Sequence, residues 1–194
     1  MKRLGLVLLI LAMIASCKRT ESETATTDTY TYTDTAAVAT APTDTTASST
    51  VPPGDLEFAT TASMANLYEI EAGKLASTKA TGAKFKEFAQ TMVTQHTEIG
   101  DSYKPIAEKQ GLPMPTALDG QFKTDYDQLV AAAAGNTFDA LYRQQMIATH
   151  QAAVPLFETE GTSGQDPDLK AFAAKWTPTI KHHLEMAEAL PNVQ

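Results

Sequence analysis

The segment FDALYRQQMIATHQAAVPLF, residues 138–157, is the most informative part of the chain for its fold. On a helix, its apolar residues recur at steps of three or four positions and therefore share one face. This stripe consists of Phe138, Tyr142, Met146, His150, Ala153 and Phe157. The spacing predicts an amphipathic helix that carries a histidine in the middle of its apolar face.

Three other segments repeat this pattern, each with one polar residue inside an apolar stripe. The predicted helices cover residues 55–79, 83–110, 138–160 and 167–190, and the polar interruptions are Glu69, His96, His150 and His183, in that order. Asp55, which follows two prolines and a glycine, is the expected N-cap of the first helix. The second histidine of the pair in the last helix, His182, lies off the stripe and is expected to face solvent.

The connection between the second and third helices, residues 112–136, is long enough to run the length of the bundle. Phe122, Tyr126 and Leu129 predict a short amphipathic helix inside it, closed by Gly135. The sequence therefore predicts an all-α fold: a ferritin-like antiparallel four-helix bundle with a long crossover between helices 2 and 3 that carries a short extra helix.

The composition of the chain argues against one class of partner and excludes an internal disulfide. The chain has 194 residues, is 43% hydrophobic and carries a formal net charge of −8. No basic stripe is present, so nucleic acid is not an expected partner. Cys17 is the single cysteine, which excludes an intrachain disulfide.

The first residues predict export and lipid anchoring. Residues 1–17 form a lipoprotein signal peptide, with two basic residues, a short apolar run and a lipobox that ends at Cys17. Residues 18–54, rich in Thr, Ser, Ala and Pro, predict a disordered tether, and residues 55–191 form the bundle. We expect a cell-envelope protein, held on a membrane by lipid on Cys17 and, most simply, on the outer membrane.

The four polar interruptions lie near the middle of their helices, so an antiparallel bundle would bring them together. One carboxylate and three imidazoles, from Glu69, His96, His150 and His183, suit a transition metal such as copper, zinc or iron. Three methionines share helix faces with the histidines: Met92, Met146 and Met186. Their thioethers would favour copper.

Two other roles for the histidines remain open besides a metal site built from these four residues. They can be ordinary core residues that are satisfied by hydrogen bonds, with Tyr68, Tyr103, Tyr142 and Thr149 as the available partners. A noncovalently bound haem between two histidines, or between a histidine and a methionine, is the second alternative.

Several catalytic classes are excluded. No glutamate stands three residues before a histidine, so the Glu-x-x-His motifs of di-iron carboxylate bundles are missing. No Cys-x-x-Cys-His haem motif, phosphate-binding loop or nucleophile elbow is present. Nothing in the sequence indicates enzymatic turnover.

Four stretches carry a resemblance to a known family: NLYEIEAGKLA (66–76), FKEFAQTMVTQH (85–96), FDALYRQQMIATHQAAVPLFE (138–158) and LKAFAAKWTPTIKHHLEMA (169–187). They resemble the bacterial ferritin-like family called domain of unknown function 4142. The resemblance implies an exported four-helix bundle of the outer membrane with no established biochemical role. The chain departs from the family at Gln95-His96, where Asp-His is usual, and at Thr177-Pro178, where Leu-Pro is usual.

Two functions therefore compete. The first is a metal-binding bundle of the cell envelope that buffers a metal or takes part in redox chemistry during envelope stress. The alternative is a non-catalytic envelope module that binds a protein or cell-wall component through its surface and uses its histidines only to fill the core.

Overall fold

A computed structural model describes residues 51–193 of the chain, and all regular secondary structure in that range is helical. The helices are α1 (Pro53–Lys79), α2 (Ala83–Gln110), α3 (Gly120–Ala131), α4 (Asn136–Ser163) and α5 (Pro167–Glu188). The all-α prediction is confirmed, as is the short helix in the long connection. The predicted signal peptide, its Cys17 and the tether up to residue 50 lie outside the described residues. Within residues 51–193, no helix combines the length and hydropathy that crossing a membrane requires.

Several helices begin or end at residues other than those predicted. Helix α1 begins at Pro53, with Pro52 rather than Asp55 as its N-cap, because proline lacks the N–H that the first turn leaves unpaired. Asp55 instead lies in the first turn and accepts hydrogen bonds from the backbone N–H groups of Gln165 and Asp166. Helix α4 begins two residues earlier than predicted and α5 ends two residues earlier.

The four long helices form a bundle in which α1 packs against α2 and α4, and α5 packs against α4 and α2. Neighbouring helices run in opposite directions. Between α2 and α5, for example, the hydrogen-bonded pairs are Gln95 with His183, Ser102 with Trp176 and Lys109 with Asp168. The connection after α2 therefore starts at one end of the bundle and reaches α4 at the other.

Two charged side chains, the buried Asp139 and the partly buried Lys79, link neighbouring elements by hydrogen bonds. Asp139 on α4 accepts hydrogen bonds from the backbone of Thr81 and Gly82 and so holds the α1–α2 turn. Lys79 donates to three carbonyl oxygens at the C-terminal end of α3, those of Leu129, Val130 and Ala132. Both contacts lie at the end of the bundle where α1 ends and α4 begins, and they hold the α1–α2 turn and α3 there.

The core consists of two apolar clusters with a polar layer between them. On each long helix, the residues of one cluster precede the polar residue and most of those of the other cluster follow it. We call Glu69, His96, His150 and His183 the histidine layer. All four are buried, so the position of each interruption in the sequence sets where the two apolar clusters separate.

A candidate metal centre in the middle of the bundle

Each long helix contributes one side chain to the histidine layer. Relative exposure is 2% for Glu69, 4% for His96, 1% for His150 and 0% for His183. The apolar stripe of each helix must face the core to be buried, and the polar residue on the stripe is carried inward with it. His182, off the stripe, has a side chain that is 64% exposed, as predicted.

The structure brings the three buried histidines into one group. A ring nitrogen from each of His96, His150 and His183 lies within 4.8 Å of the other two. The ring centroids are 5.0 Å apart for His96 and His183, 5.4 Å for His150 and His183, and 5.7 Å for His96 and His150. Because the rings contact one another directly, no space for a haem separates any two of them.

Two of the rings are oriented by acceptors on their Nδ1 side. His150 Nδ1 lies 2.8 Å from the backbone oxygen of Met146, one turn earlier on α4. A carbonyl oxygen only accepts, so Nδ1 carries the proton of the neutral ring. His96 Nδ1 lies 3.1 Å from the side-chain oxygen of Asn66 on α1, which gives His96 the same tautomer.

The third ring is held from its other nitrogen. His183 Nε2 lies 2.5 Å from the side-chain oxygen of Gln95 on α2 and donates its proton there. The remaining nitrogen of each ring, His96 Nε2, His150 Nε2 and His183 Nδ1, is buried and has no hydrogen-bond partner. Three lone pairs are therefore available inside the bundle without protons or water-exposed surface, which is the state in which imidazole binds a metal.

Glu69 stands beside this group and is not one of its three members. Its Oε1 accepts a hydrogen bond of 2.5 Å from Thr149 and lies 3.8 Å from His150 Nδ1, the nitrogen already used by Met146. Its Oε2 is buried without a partner. The carboxyl group is thus fixed on one oxygen and free on the other.

Burial sets the charge of the layer. It raises the pKa of Glu69 to about 8, against the opposing effect of the Thr149 hydrogen bond. It lowers the pKa of His150 to about 4 and that of His183 to about 3. The pKa of His96 is also well below its usual range, through burial first and then repulsion from the other two rings. All three imidazoles are neutral at pH 7, as metal binding requires.

The candidate methionines lie to one side of the layer. Met92 and Met146 are fully buried in the apolar cluster that contains Phe85 and Phe138. Met186 is partly buried and packs against the same cluster. Their surroundings in the structure are those of core residues.

None of the four residues expected to bond to the histidines, Tyr68, Tyr103, Tyr142 and Thr149, does so in the structure. Tyr68 donates to Gln145 and Tyr103 to the backbone oxygen of Pro113, while the buried hydroxyl of Tyr142 has no partner. Thr149 serves Glu69 rather than a histidine. Sequence reasoning missed Asn66 and Gln95. Asn66 could have been predicted, because it lies one turn before Glu69 on α1 and shares a helix face with it.

A cavity of about 190 Å³ reaches the layer from the side of α1. Glu69, His96, Thr149 and His150 line it, and His183 does not. Met114, which is 45% exposed, and Pro115 form part of its wall in the segment after α2. The layer is therefore buried but not closed off on this side.

These features define a class of protein, an all-helical bundle with three histidines facing one another in its core. The chain belongs to the family described as "Domain of unknown function (DUF4142)", whose model matches residues 39–190. The family resemblance of the four sequence stretches is thus confirmed, and the match extends into the predicted tether. A comparison with curated proteins gives no match.

Solved structures with a similar fold come from other helical proteins. A DUF305 fragment from Deinococcus radiodurans is 12% identical, with a TM-score of 0.61, over 71% of this chain and 95% of that one. CopM in its Cu(II)-bound form is 20% identical, with a TM-score of 0.56, over 69% of this chain and 93% of that one. CopM in its Ag-bound form is 21% identical, with a TM-score of 0.54, over 69% and 92%.

Proposed function

We propose that this protein binds copper in the core of its helical bundle, with His96 Nε2, His150 Nε2 and His183 Nδ1 as ligands. The observation that carries the proposal is that each of these nitrogens is buried and unpartnered, in a group whose ring nitrogens lie within 4.8 Å. A buried polar atom without a partner costs about 1–3 kcal/mol. One bound cation would satisfy all three atoms at once.

The distances suit an ion after small ring movements. Nitrogens bound about 2.0 Å from a tetrahedral ion lie roughly 3.3 Å apart. Each ring turns about its side-chain torsions while its outer hydrogen bond, to Asn66, Met146 or Gln95, holds its tautomer. Such outer partners typically change metal affinity 10–100-fold when they are removed.

Copper is favoured among the candidate ions. Imidazole suits copper, zinc and iron, and among divalent ions of this row copper binds most strongly to a given nitrogen site. CopM, which shares the fold, has been solved with Cu(II) and with silver, a stand-in for Cu(I). Glu69, beside the layer with one oxygen free, is the proposed fourth ligand, and Met92, Met146 and Met186 are proposed to tune the site toward copper as neighbouring sulfur atoms.

The arrangement of the helices supports a ferritin-like assignment within this proposal. Two hairpins, α1–α2 and α4–α5, pack side by side and are joined by a connection that runs from one end of the bundle to the other. Ferritin-like folds share one long crossover of this kind and build metal sites from side chains on facing helices. The ligands differ, since histidines replace the usual carboxylates.

We also propose that the protein acts in the cell envelope, anchored by lipid on Cys17. The proposal is supported by the basic, apolar and lipobox segments of residues 1–17. Labelled palmitate fed to the producing bacterium is expected to appear on the protein and to be lost in Cys17→Ser. Label that persists in the variant, or is absent from the parent, would refute the anchor.

Metal binding is tested on the full chain, purified without a histidine tag and loaded with Cu(II), Cu(I), Zn(II) or Fe(II) in turn. Metal content by inductively coupled plasma mass spectrometry should reach about one copper per chain in the parent. It should fall to background in His183→Gln and stay at the parental level in His182→Gln, which changes the exposed neighbour. Equal content in the two variants, or a preference for zinc or iron, would overturn the copper site.

A parent that takes up none of the ions would instead favour the alternative, a non-catalytic envelope module whose partner is a protein or a cell-wall component.

A further inference from the structure

The cavity beside the histidine layer is apolar along most of its wall. The apolar lining includes Ala62, Ala65, Ile99, Ala153, Phe157 and Phe172. Two of its polar side chains are already engaged, because Tyr103 donates to Pro113 and Ser63 to Thr60. The walls therefore offer little to a charged or strongly hydrated ligand.

The inner end of the cavity is different. Among the lining side chains of the described residues, the buried polar atoms without a partner are Glu69 Oε2, His96 Nε2 and His150 Nε2. They belong to one small region, since the His96 and His150 rings are in contact and Glu69 lies 3.8 Å from His150. Unsatisfied polar atoms gathered at the end of an apolar cavity are the arrangement expected of a ligand pocket.

The size of the cavity limits the ligand. An apolar protein cavity of about 150 Å³ is known to hold benzene, and this cavity measures about 190 Å³. A single aromatic ring with a small substituent fits that space, whereas a nucleotide or a haem does not. A ligand can enter the cavity from solvent beside Met114, an exposed residue of its wall.

We propose that this cavity is a binding pocket for a small, uncharged molecule of about one aromatic ring that carries one polar atom, directed at the histidine layer. In the metal-free protein the polar atom donates a hydrogen bond to His96 Nε2 or His150 Nε2, because each of these nitrogens offers only a lone pair. In the loaded protein the inference rests on the proposed function: the polar atom takes the fourth position at the ion, which Glu69 holds when the cavity is empty. Since His183 does not line the cavity, the ligand reaches the layer from the His96 and His150 side.

The experiment uses ¹⁹F NMR with 4-fluorophenol, which is neutral at pH 7 and has one hydroxyl group that donates a hydrogen bond and can bind a metal through its oxygen, and with fluorobenzene, which has no polar group of this kind. The full chain is titrated metal-free and zinc-loaded, because zinc is diamagnetic. Ala153→Leu fills the cavity from α4, and Ala152→Leu adds the same side chain at an exposed neighbouring position. Ala65→Leu fills it from α1, and circular dichroism verifies that each variant is folded.

The expected result is saturable binding of 4-fluorophenol to the metal-free parent, at least tenfold tighter than to Ala153→Leu or Ala65→Leu and unchanged in Ala152→Leu. Fluorobenzene should bind more weakly, and zinc should tighten the binding of the phenol alone. The absence of saturable binding, or equal binding to the filled variants, would overturn the pocket. Metal content is measured separately on the same samples, so a parent that binds the probe but no metal refutes the proposed function and leaves the pocket standing.

Discussion

His183 Nε2 on α5 lies 2.5 Å from the side-chain oxygen of Gln95 on α2. The contact joins the two helices at the height of the histidine layer and leaves His183 Nδ1 as the buried nitrogen without a partner. A ring held at one nitrogen presents the other in a fixed direction. Gln95 is therefore a positioning residue for the candidate metal centre, although it lies outside the apolar stripe of α2.

Changing Gln95 to Ala removes the acceptor and frees the His183 ring. We expect the affinity for copper to fall about 10–100-fold, the usual effect of losing an outer partner of a ligand. Gln95→Glu, which keeps an acceptor of the same length, should bind at least as tightly as the parent. Competition titration against a copper chelator measures both, with the exposed Gln90→Ala on the same helix as control. An unchanged affinity in Gln95→Ala would mean that packing alone orients the ring.

The sequence predicted the bundle and the burial of its histidines because both depend on one-dimensional spacing. A histidine at the centre of an apolar stripe, such as His150, is carried into the core whatever its rotamer. Which nitrogen of the ring is free depends on side-chain torsions and on neighbours from other helices, and no periodicity encodes them. Gln95 shows the difficulty: it adjoins His96 in the chain and yet serves His183.

The same limit explains the wrong partners. Tyr68 and Tyr142 share helix faces with the layer, but the hydroxyl group of Tyr68 donates to Gln145 and that of Tyr142 has no hydrogen-bond partner. The predicted start of α1 is wrong for a local reason, because a proline before Asp55 fits the first turn of a helix instead of bounding it. The position of Glu69 along its helix groups it with the histidines, but the oxygen that lies 3.8 Å from His150 Nδ1 is bound by Thr149.

His150→Leu should make the metal-free protein more stable. The substitution replaces a ring whose Nε2 is buried without a partner, and such an atom costs about 1–3 kcal/mol. We expect the free energy of unfolding at pH 7, from urea denaturation, to rise by about 1–2 kcal/mol. Copper at 100 times its dissociation constant should add about 2.7 kcal/mol to the parent and nothing to the variant. A large loss of stability in the metal-free variant would show that the histidine is needed for packing, and the exposed His182→Leu serves as control.

The same substitution should change the response to acid. Burial lowers the pKa of His150 to about 4 from an ordinary value of 6.5. Between these values the unfolded chain binds a proton that the folded one does not, so stability is full above pH 6.5 and is lost as the pH falls toward 4. Unfolding free energies of metal-free protein at pH 7 and pH 4.5 should therefore differ less in His150→Leu than in the parent, by about 2 kcal/mol. Identical pH dependence would place the imidazole in contact with water.

Gly73 on α1 allows α1 and α2 to approach closely. A Cβ at this position would lie 2.8 Å from the Val93 side chain and 3.0 Å from the Ala89 carbonyl oxygen. We expect Gly73→Ala to lower the free energy of unfolding by about 1–3 kcal/mol through overpacking. Gly54→Ala, in the first turn of the same helix with nothing within 4 Å, should raise it by about 0.5–1 kcal/mol. Thermal denaturation compares the two, and equal shifts would mean that the contact relaxes freely.

Glu160 makes stability depend on pH at the end of the bundle away from the α1–α2 turn. Burial is the main cause that raises the pKa of Glu160 to about 7, and repulsion from Asp55 and Asp166 adds to it. The Oε1 atom of Glu160 has no hydrogen-bond partner. Between pH 4.5 and 7 the unfolded chain ionises first, so the raised pKa makes stability fall as the pH rises through this window.

Glu160→Gln removes this ionisation while keeping the shape of the side chain. It should match the parent at pH 4 and exceed it in unfolding free energy by about 1–3 kcal/mol at pH 8. Glu158→Gln on the same helix loses an exposed ion pair with Lys181 instead, and it should change stability by less than about 1 kcal/mol, in the destabilising direction. Urea denaturation at the two pH values separates these cases. A parent whose stability does not decline between pH 4.5 and 7 relative to Glu160→Gln would show that this carboxyl group finds a cation or water when it ionises.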